Sequence, residues 1–186
     1  WENDKRVKYY FSTNLDSCHY KNIELWDNCY GKEVFTDNSR YIGHWKNNKQ
    51  DGRGILFWAN KDKYEGDFVN GKFNGKGIFS WANGDKYEGE FLNDRFEGKG
   101  IFSRTNGEIY EGDFVNGNKT GLGIYLYSNG STFNGKWEKN KKLDGEYIKN
   151  LKFDGEYIEV ISKNAHLVES NKILKVLTPK SKIYFK

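Results

Sequence analysis

The 186-residue sequence has no methionine, a single proline and only two cysteines. It also lacks any apolar run of 18 or more residues, so it carries no transmembrane helix. Cys18, His19 and Cys29 offer three metal ligands, but no second pair stands at the spacing a structural zinc site needs. A chain that begins at Trp1 without a methionine reads as a processed or trimmed product. Aliphatic side chains are scarce as well: 36% of residues are hydrophobic, and aromatics alone make up 17% of the chain. A core must therefore be built from Tyr, Phe and Trp rings. Together with 21 glycines, this composition suits short strands joined by tight turns.

Charge is unevenly placed. Residues 1–40 carry 6 Lys/Arg against 7 Asp/Glu, residues 41–132 carry 12 against 12, and residues 133–186 carry 12 against 7. The net +4 is thus a property of the C-terminal part, where a solvated basic face is the simpler reading and an anionic partner the sharper one.

Enzyme signatures are missing from the sequence. His19, His44 and His166 lie in unrelated segments, and none stands at triad or metal-ligand spacing with Cys, Asp or Glu. His44 reads as an outward-facing surface residue. The carboxylates Glu65, Asp67, Glu88, Glu90, Glu111 and Asp113 recur beside lysines, so cross-strand charge pairing explains them better than acid catalysis. The glycines do not lead into a helix, which rules out a phosphate-cradling loop. No catalytic residue, cofactor, metal or nucleic-acid partner is expected.

What the sequence does contain is a repeat. YEGDFVNGKFNGKGIFSWANGDK begins at Tyr64, and close copies begin at Tyr41, Tyr87 and Tyr110, each 23 residues after the last. A fifth start, FNGKWEKNKKLDG, follows at Phe133, and residues 28–40 resemble the second half of a preceding unit. Within a copy the alternation is that of strands. Tyr64, Gly66 and Phe68 face one side and Glu65 and Asp67 the other, and Gly75, Gly77, Phe79 and Trp81 continue one face of the next strand. Each copy is then a β-hairpin, with Asn83-Gly84 supplying the positive φ angles of a tight turn. Two strands per copy at about 4.8 Å make roughly 10 Å of sheet, so five copies form a ribbon about 50 Å long.

Glycine weakens a strand interior, so Gly43, Gly66, Gly89, Gly112 and Gly135, with Gly54, Gly77, Gly100 and Gly123, need a reason. The favoured one is space for large rings from adjacent strands; close approach of a ligand is the alternative.

Tyr64-Glu65-Gly66-Asp67-Phe68, then Gly75, Gly77, Phe79, Trp81, Asn83 and Gly84, closely resemble the MORN repeat (membrane occupation and recognition nexus). The resemblance covers about residues 28–145 and implies an all-β, single, elongated and twisted antiparallel meander of β-hairpins, acting as a scaffold or binding module. Three segments follow: a leader over 1–27, the array over 28–145, and a divergent C-terminal β cap over 146–186. In the cap, LDGEYI and FDGEYI recur 10 residues apart as shorter hairpin strands, and strands are expected at 157–161, 172–177 and 182–185. The leader, with Cys18 and Cys29 around Trp26-Asp27, is similar to leaders of MORN proteins from environmental bacteria. That likeness favours an exported, periplasmic or cell-envelope protein over a cytoplasmic one. A disulfide between Cys18 and Cys29 is favoured in this loop-rich stretch and would add roughly 3 kcal/mol; two buried thiols are the alternative in a reducing compartment.

Two functions are compatible with these residues. The leading one is a non-enzymatic scaffold for a protein partner or a second copy of the chain, with Trp58, Trp81 and Tyr127 as contacts and Phe57, Phe79 and Tyr125 behind them. The other is a module binding a glycan on its spaced aromatic plates, or anionic lipid through its C-terminal lysines. The array itself is charge-balanced, which favours the first.

Overall fold

The computed structural model describes Cys18 and residues 26–153, 156–163 and 183–185; side chains are described for Cys18 and residues 26–149. The expected strand at 172–177, His19, His166 and the C-terminal lysines lie outside those residues. Thirteen strands form one sheet, in sequence order. They are β1 (Cys29–Val34), β2 (Arg40–Lys46), β3 (Lys49–Phe57), β4 (Lys63–Val69), β5 (Lys72–Ser80), β6 (Lys86–Leu92) and β7 (Arg95–Ser103). Then follow β8 (Ile109–Val115), β9 (Asn118–Leu126), β10 (Thr132–Glu138), β11 (Lys141–Phe153), β12 (Glu156–Lys163) and β13 (Ile183–Phe185). Each strand from β1 to β11 pairs antiparallel with the next, as the alternation and the glycine-rich turns require. β13 departs from the meander by pairing parallel to β12.

Turn chemistry differs between the two edges of the sheet. At one edge, hairpins close through two residues that both have positive φ, such as Asn70 (51°) with Gly71 (80°) and Asn93 (49°) with Asp94 (68°). That is the tight turn whose twist matches the flanking strands. At the other edge the connection is longer: the Trp81 amide donates to Asp85 O at 3.0 Å, and only Gly84 has positive φ (90°). The pair Asn83-Gly84 is therefore not the two-residue turn; Asn70-Gly71 is. Asn83 acts instead through its side chain, whose Oδ1 accepts the Asp85 amide at 2.9 Å. Both edges are tied from one repeat to the next, for example by the Gly71 amide on Gln50 O (2.8 Å) and the Ala82 amide on Asp62 Oδ1 (2.7 Å).

The hairpins β2–β3, β4–β5, β6–β7, β8–β9 and β10–β11 each carry a bulge. Gly66 pairs with Gly77 and Phe68 with Phe73, so Asp67 alone faces Asn74, Gly75 and Lys76. Asp67 Oδ2 accepts the Lys76 amide at 3.1 Å, holding the extra residues. Asp113 repeats the arrangement on the Leu122 amide at 3.3 Å.

All the fully buried rings lie on one face. Tyr41, Tyr64 and Tyr87 are 0% exposed and Tyr110 1%, although there is no second sheet or helix over them among the described residues. The rings cover one another: Tyr64 stacks on Phe73 at 3.7 Å and meets Phe68 (5.1 Å) and Phe91 of the next repeat (5.0 Å) edge-on. Tyr87 repeats this with Phe96 (3.8 Å), Phe91 (5.1 Å) and Phe114 (5.1 Å). The Tyr64 hydroxyl donates to Asp67 O at 3.0 Å, and its counterparts do likewise, so burying the phenol leaves no polar group unpaired. Edge-to-face pairs contribute about 0.5–1.5 kcal/mol each beyond burial. A spine of such pairs lets a single layer have a core.

The glycines have the role of seats, with one change from the sequence reading. A Cβ on Gly77 would lie 2.4 Å from the Tyr64 hydroxyl oxygen, and one on Gly66 2.5 Å from the same atom. One tyrosine thus covers a glycine pair, one of them two residues ahead in its own strand and the other on the neighbouring strand. The seats at Gly43, Gly66, Gly89 and Gly112 serve their own strand's ring because Tyr and Gly two apart point to the same face. Gly135 and Gly145 sit under Phe133 in the same way.

Toward the C-terminus, LDGEYI lies inside β11, which at 13 residues is longer than the repeat strands, and Glu156 to Ile158 of FDGEYI open β12. The two form one hairpin, in place of two shortened ones.

Candidate interaction surfaces

The face opposite the aromatic spine is the open one. Strand alternation and register place all eight exposed large hydrophobics of the described residues there: Val34, Val69, Leu92, Ile101, Ile109, Val115, Leu122 and Ile124. Across this face the register aligns Glu65, Ile78, Glu88, Ile101, Glu111 and Ile124 in one row. A groove of about 820 Å³ runs beside that row, floored by the backbone of Gly77, Gly89, Gly100, Gly112 and Gly123. Its other wall includes Arg53, Lys76, Glu90, Lys99 and Leu122. Ile101, Ile124 and Leu122 are 41%, 46% and 68% exposed, so apolar surface and alternating charge meet along one line.

Two of the carboxylates on this face pair across strands as the sequence suggests: Asp67 with Arg53 at 3.4 Å and Asp113 with Lys99 at 2.5 Å. Glu65 and Glu88 instead pair within their own strands, with Lys63 (2.9 Å) and Lys86 (2.8 Å) two residues earlier. Residues two apart in a strand share a face, so this is the shorter reach. His44, expected as a surface residue, is half-buried in the position that Asp67 takes in the next repeat. Its ring meets Tyr30 edge-on at 5.4 Å, and burial lowers its pKa.

The aromatics singled out from the sequence divide between the faces. Trp58, Trp81, Phe79, Tyr125 and Tyr127 line the spine, half-buried: Trp58 packs on Phe79 at 5.3 Å, Trp81 on Phe102 at 5.4 Å, and Tyr125 on Tyr127 at 4.8 Å. Phe57 does not belong with them. It occupies the place of Ser80 and lies on the opposite face, with the Arg40 guanidinium 4.7 Å over its ring. Leu56 is the residue that matches Phe79, and a one-residue shift changes the face.

The spine changes character in its last two repeats. The position paired with Phe68 and Phe91 holds Phe73 and Phe96; the equivalents paired with Phe114 and Trp137 are Lys119 and Lys142. The Lys119 ammonium lies 4.8, 4.7 and 5.4 Å from the centroids of Tyr110, Tyr125 and Trp137. Lys142 lies 5.1 Å from Tyr125 and 5.6 Å from Trp137 and donates to the Tyr127 hydroxyl. Burial, and after it the charges of Arg104 and Lys142, bring the Lys119 pKa down to about 8; burial also lowers that of Lys142. The nearby Glu108 is engaged by Arg104 at 2.9 Å and by the Tyr125 hydroxyl. The contacts expected from the sequence, Trp58, Trp81 and Tyr127, do not include Lys119 and Lys142. Their signal was a lysine standing where two copies have phenylalanine.

At the N-terminal end, Cys18 and Cys29 form a disulfide with Cα atoms 5.3 Å apart. The Cys18 amide donates to Tyr30 O at 3.0 Å, so the bridge fastens the leader to the first strand. Trp26 meets Trp45 edge-on at 4.7 Å and extends the spine.

A protein-family model described as MORN repeat matches residues 41–63, 64–86, 87–109 and 110–132, the same four boundaries that the tyrosines mark. No curated protein matches the chain. Among solved structures, the complex of the SAS-4 (dCPAP) TCP domain with a proline-rich motif of Ana2 (dSTIL) from Drosophila melanogaster aligns over 69% of each chain. It is 15% identical with a TM-score of 0.41, too low to carry any further argument.

Proposed function

The chain belongs to the MORN-repeat proteins through its four consecutive repeats at residues 41–132, and from that premise we propose that it is a non-enzymatic scaffold that holds a segment of a partner protein. MORN arrays are in general interaction scaffolds. The observation that carries the finer reading is that every exposed large hydrophobic of the described residues lies on the face away from the spine, and three of them, Ile101, Leu122 and Ile124, line a groove there. Apolar side chains scattered over both faces would be ordinary; a row confined to one marks a contact surface. The Ile78, Ile101 and Ile124 row suits apolar side chains of a partner segment, and the interleaved Glu88 and Glu111 suit basic ones. Trp58, Trp81 and Tyr127 are a less favoured contact set because packing into the spine already occupies them.

The reading is tested by selecting peptides from a random library on the folded array and measuring their affinity by calorimetry. Saturable one-to-one binding that falls at least tenfold in Ile101→Asp/Ile124→Asp supports it. Retention by a glycan array or by anionic liposomes with no peptide binding overturns it, and light scattering reports whether a second copy is the occupant.

A further inference from the structure

Positive charge in an aromatic layer needs a counterpart. Lys119 fills a place where two other repeats put a phenylalanine, and among the described residues its ammonium has rings around it and no hydrogen-bond acceptor or carboxylate at ion-pair distance. Lys142, over the same Tyr125 and Trp137 rings, finds among the described residues only the Tyr127 hydroxyl. Arg104, which adds a third positive charge, stands where Trp58 and Trp81 stand, and it holds the nearby carboxylate of Glu108. A phenylalanine would complete the stack in both lysine positions, as Phe73 does on Tyr64 and Phe96 on Tyr87. The fold has no need of the two charges there, and both ammoniums are partly desolvated, which strengthens an interaction with an anion.

We propose that Lys119 and Lys142 form an anion-binding site on the aromatic face that takes carboxylates of an acidic segment of a partner protein. The site rests on the scaffold reading above but lies on the other face of the sheet, so one partner can grip both sides. Flat rings beside the two ammoniums suit a planar carboxylate flanked by apolar or aromatic side chains, and a polypeptide supplies both. The lowered Lys119 pKa fits the site, since an anion bound beside it would restore the charged form.

The test uses the disulfide-intact chain and the peptide acetyl-hexaglutamate amide, with the indole NH signal of Trp137 followed by NMR. Saturable shifts of that signal, and at least a tenfold weaker interaction in Lys119→Phe/Lys142→Phe, are expected. The double variant should melt no lower than the wild type, because it extends the Tyr-Phe stacking of repeats 2 and 3. If phenylalanine at both places prevents folding, Lys119→Gln/Lys142→Gln replaces it with the same expectation for binding. No shift with hexaglutamate, or equal binding by the variant, overturns the site. A response to inorganic phosphate or to phosphatidylserine vesicles with none to hexaglutamate overturns the carboxylate assignment. Library peptides that still bind the Phe variant through the groove would show that the scaffold reading stands while this site fails; no peptide binding at all would remove the scaffold reading first.

Discussion

Gly100→Ala puts the packing rule under the most direct strain. A methyl group there would lie 2.4 Å from the Tyr87 hydroxyl oxygen and 2.6 Å from two of its ring carbons. The ring cannot tilt away freely, since it stacks on Phe96 at 3.8 Å and meets Phe91 and Phe114 edge-on at 5.1 Å each. Overpacking of this kind costs about 1–3 kcal/mol, and shifting the ring weakens the 3.0 Å bond from its hydroxyl to Glu90 O, worth about 1 kcal/mol. Against this, alanine in a strand gains about 0.4–1 kcal/mol by restricting the unfolded chain. The net expectation is about 1–3.5 kcal/mol of destabilisation. With a urea dependence of about 2 kcal/mol/M, the midpoint falls by about 0.5–2 M. Tryptophan fluorescence against urea reads it, and a double-mutant cycle with Tyr87→Ala isolates the cause. A cost below about 0.5 kcal/mol, or the same cost without the Tyr87 ring, would falsify the seat.

Three further outcomes follow from the same geometry. Burial raises the pKa values of Tyr41, Tyr64 and Tyr87, and that of Tyr110 to about 12; their stabilisation is intact below pH 10, where unfolded tyrosine titrates, and is lost above it. Unfolding in alkali should steepen by about 1.4 kcal/mol per pH unit for each tyrosine, seen as a falling melting temperature from pH 10 to 12, and a flat profile there would contradict the buried phenols. Lys119 acts in the opposite sense: with its folded pKa near 8 against 10.5 unfolded, its unfavourable contribution is full below pH 8 and fades up to about pH 10.5. Wild type should therefore gain on Lys119→Phe over that window in parallel melts, and a constant difference would count against a desolvated ammonium. Reducing the Cys18–Cys29 disulfide should cost about 3 kcal/mol, with faster amide exchange confined to β1 and its neighbour; uniform loss of protection across the array would show that the clamp is not local.

How much of this was readable in advance follows from what repeats. Period, hairpins and the need for space at Gly66 and Gly77 come from residues written several times over, and their side-chain alternation fixes a face. Which ring sits on which glycine was not legible, because that depends on Tyr64 leaning along its own strand across the Gly66–Gly77 pair. The type of the Asn83-Gly84 turn was not legible for a related reason: Asn70-Gly71 and Asn83-Gly84 are the same dipeptide, and only the number of residues between paired strands separates their geometries. Phe57 was placed with Phe79 because adjacent aromatics in a strand look alike in sequence while facing opposite ways. The open face escaped notice since Ile78, Ile101 and Ile124 are single residues in three copies, and the register alone gathers them.

The claim at the centre is that this sheet uses its aromatic face as a core and takes the main contact with a partner segment on the other face. The measurement that tests it most directly is NMR shift mapping of the isotope-labelled chain with a peptide selected on it. The account predicts that the largest shifts fall on Ile78, Ile101, Ile124 and the amides of Gly100 and Gly112, with an acidic peptide adding shifts at Trp137. Shifts centred on Trp58 and Trp81, with the isoleucine row unmoved, would contradict it.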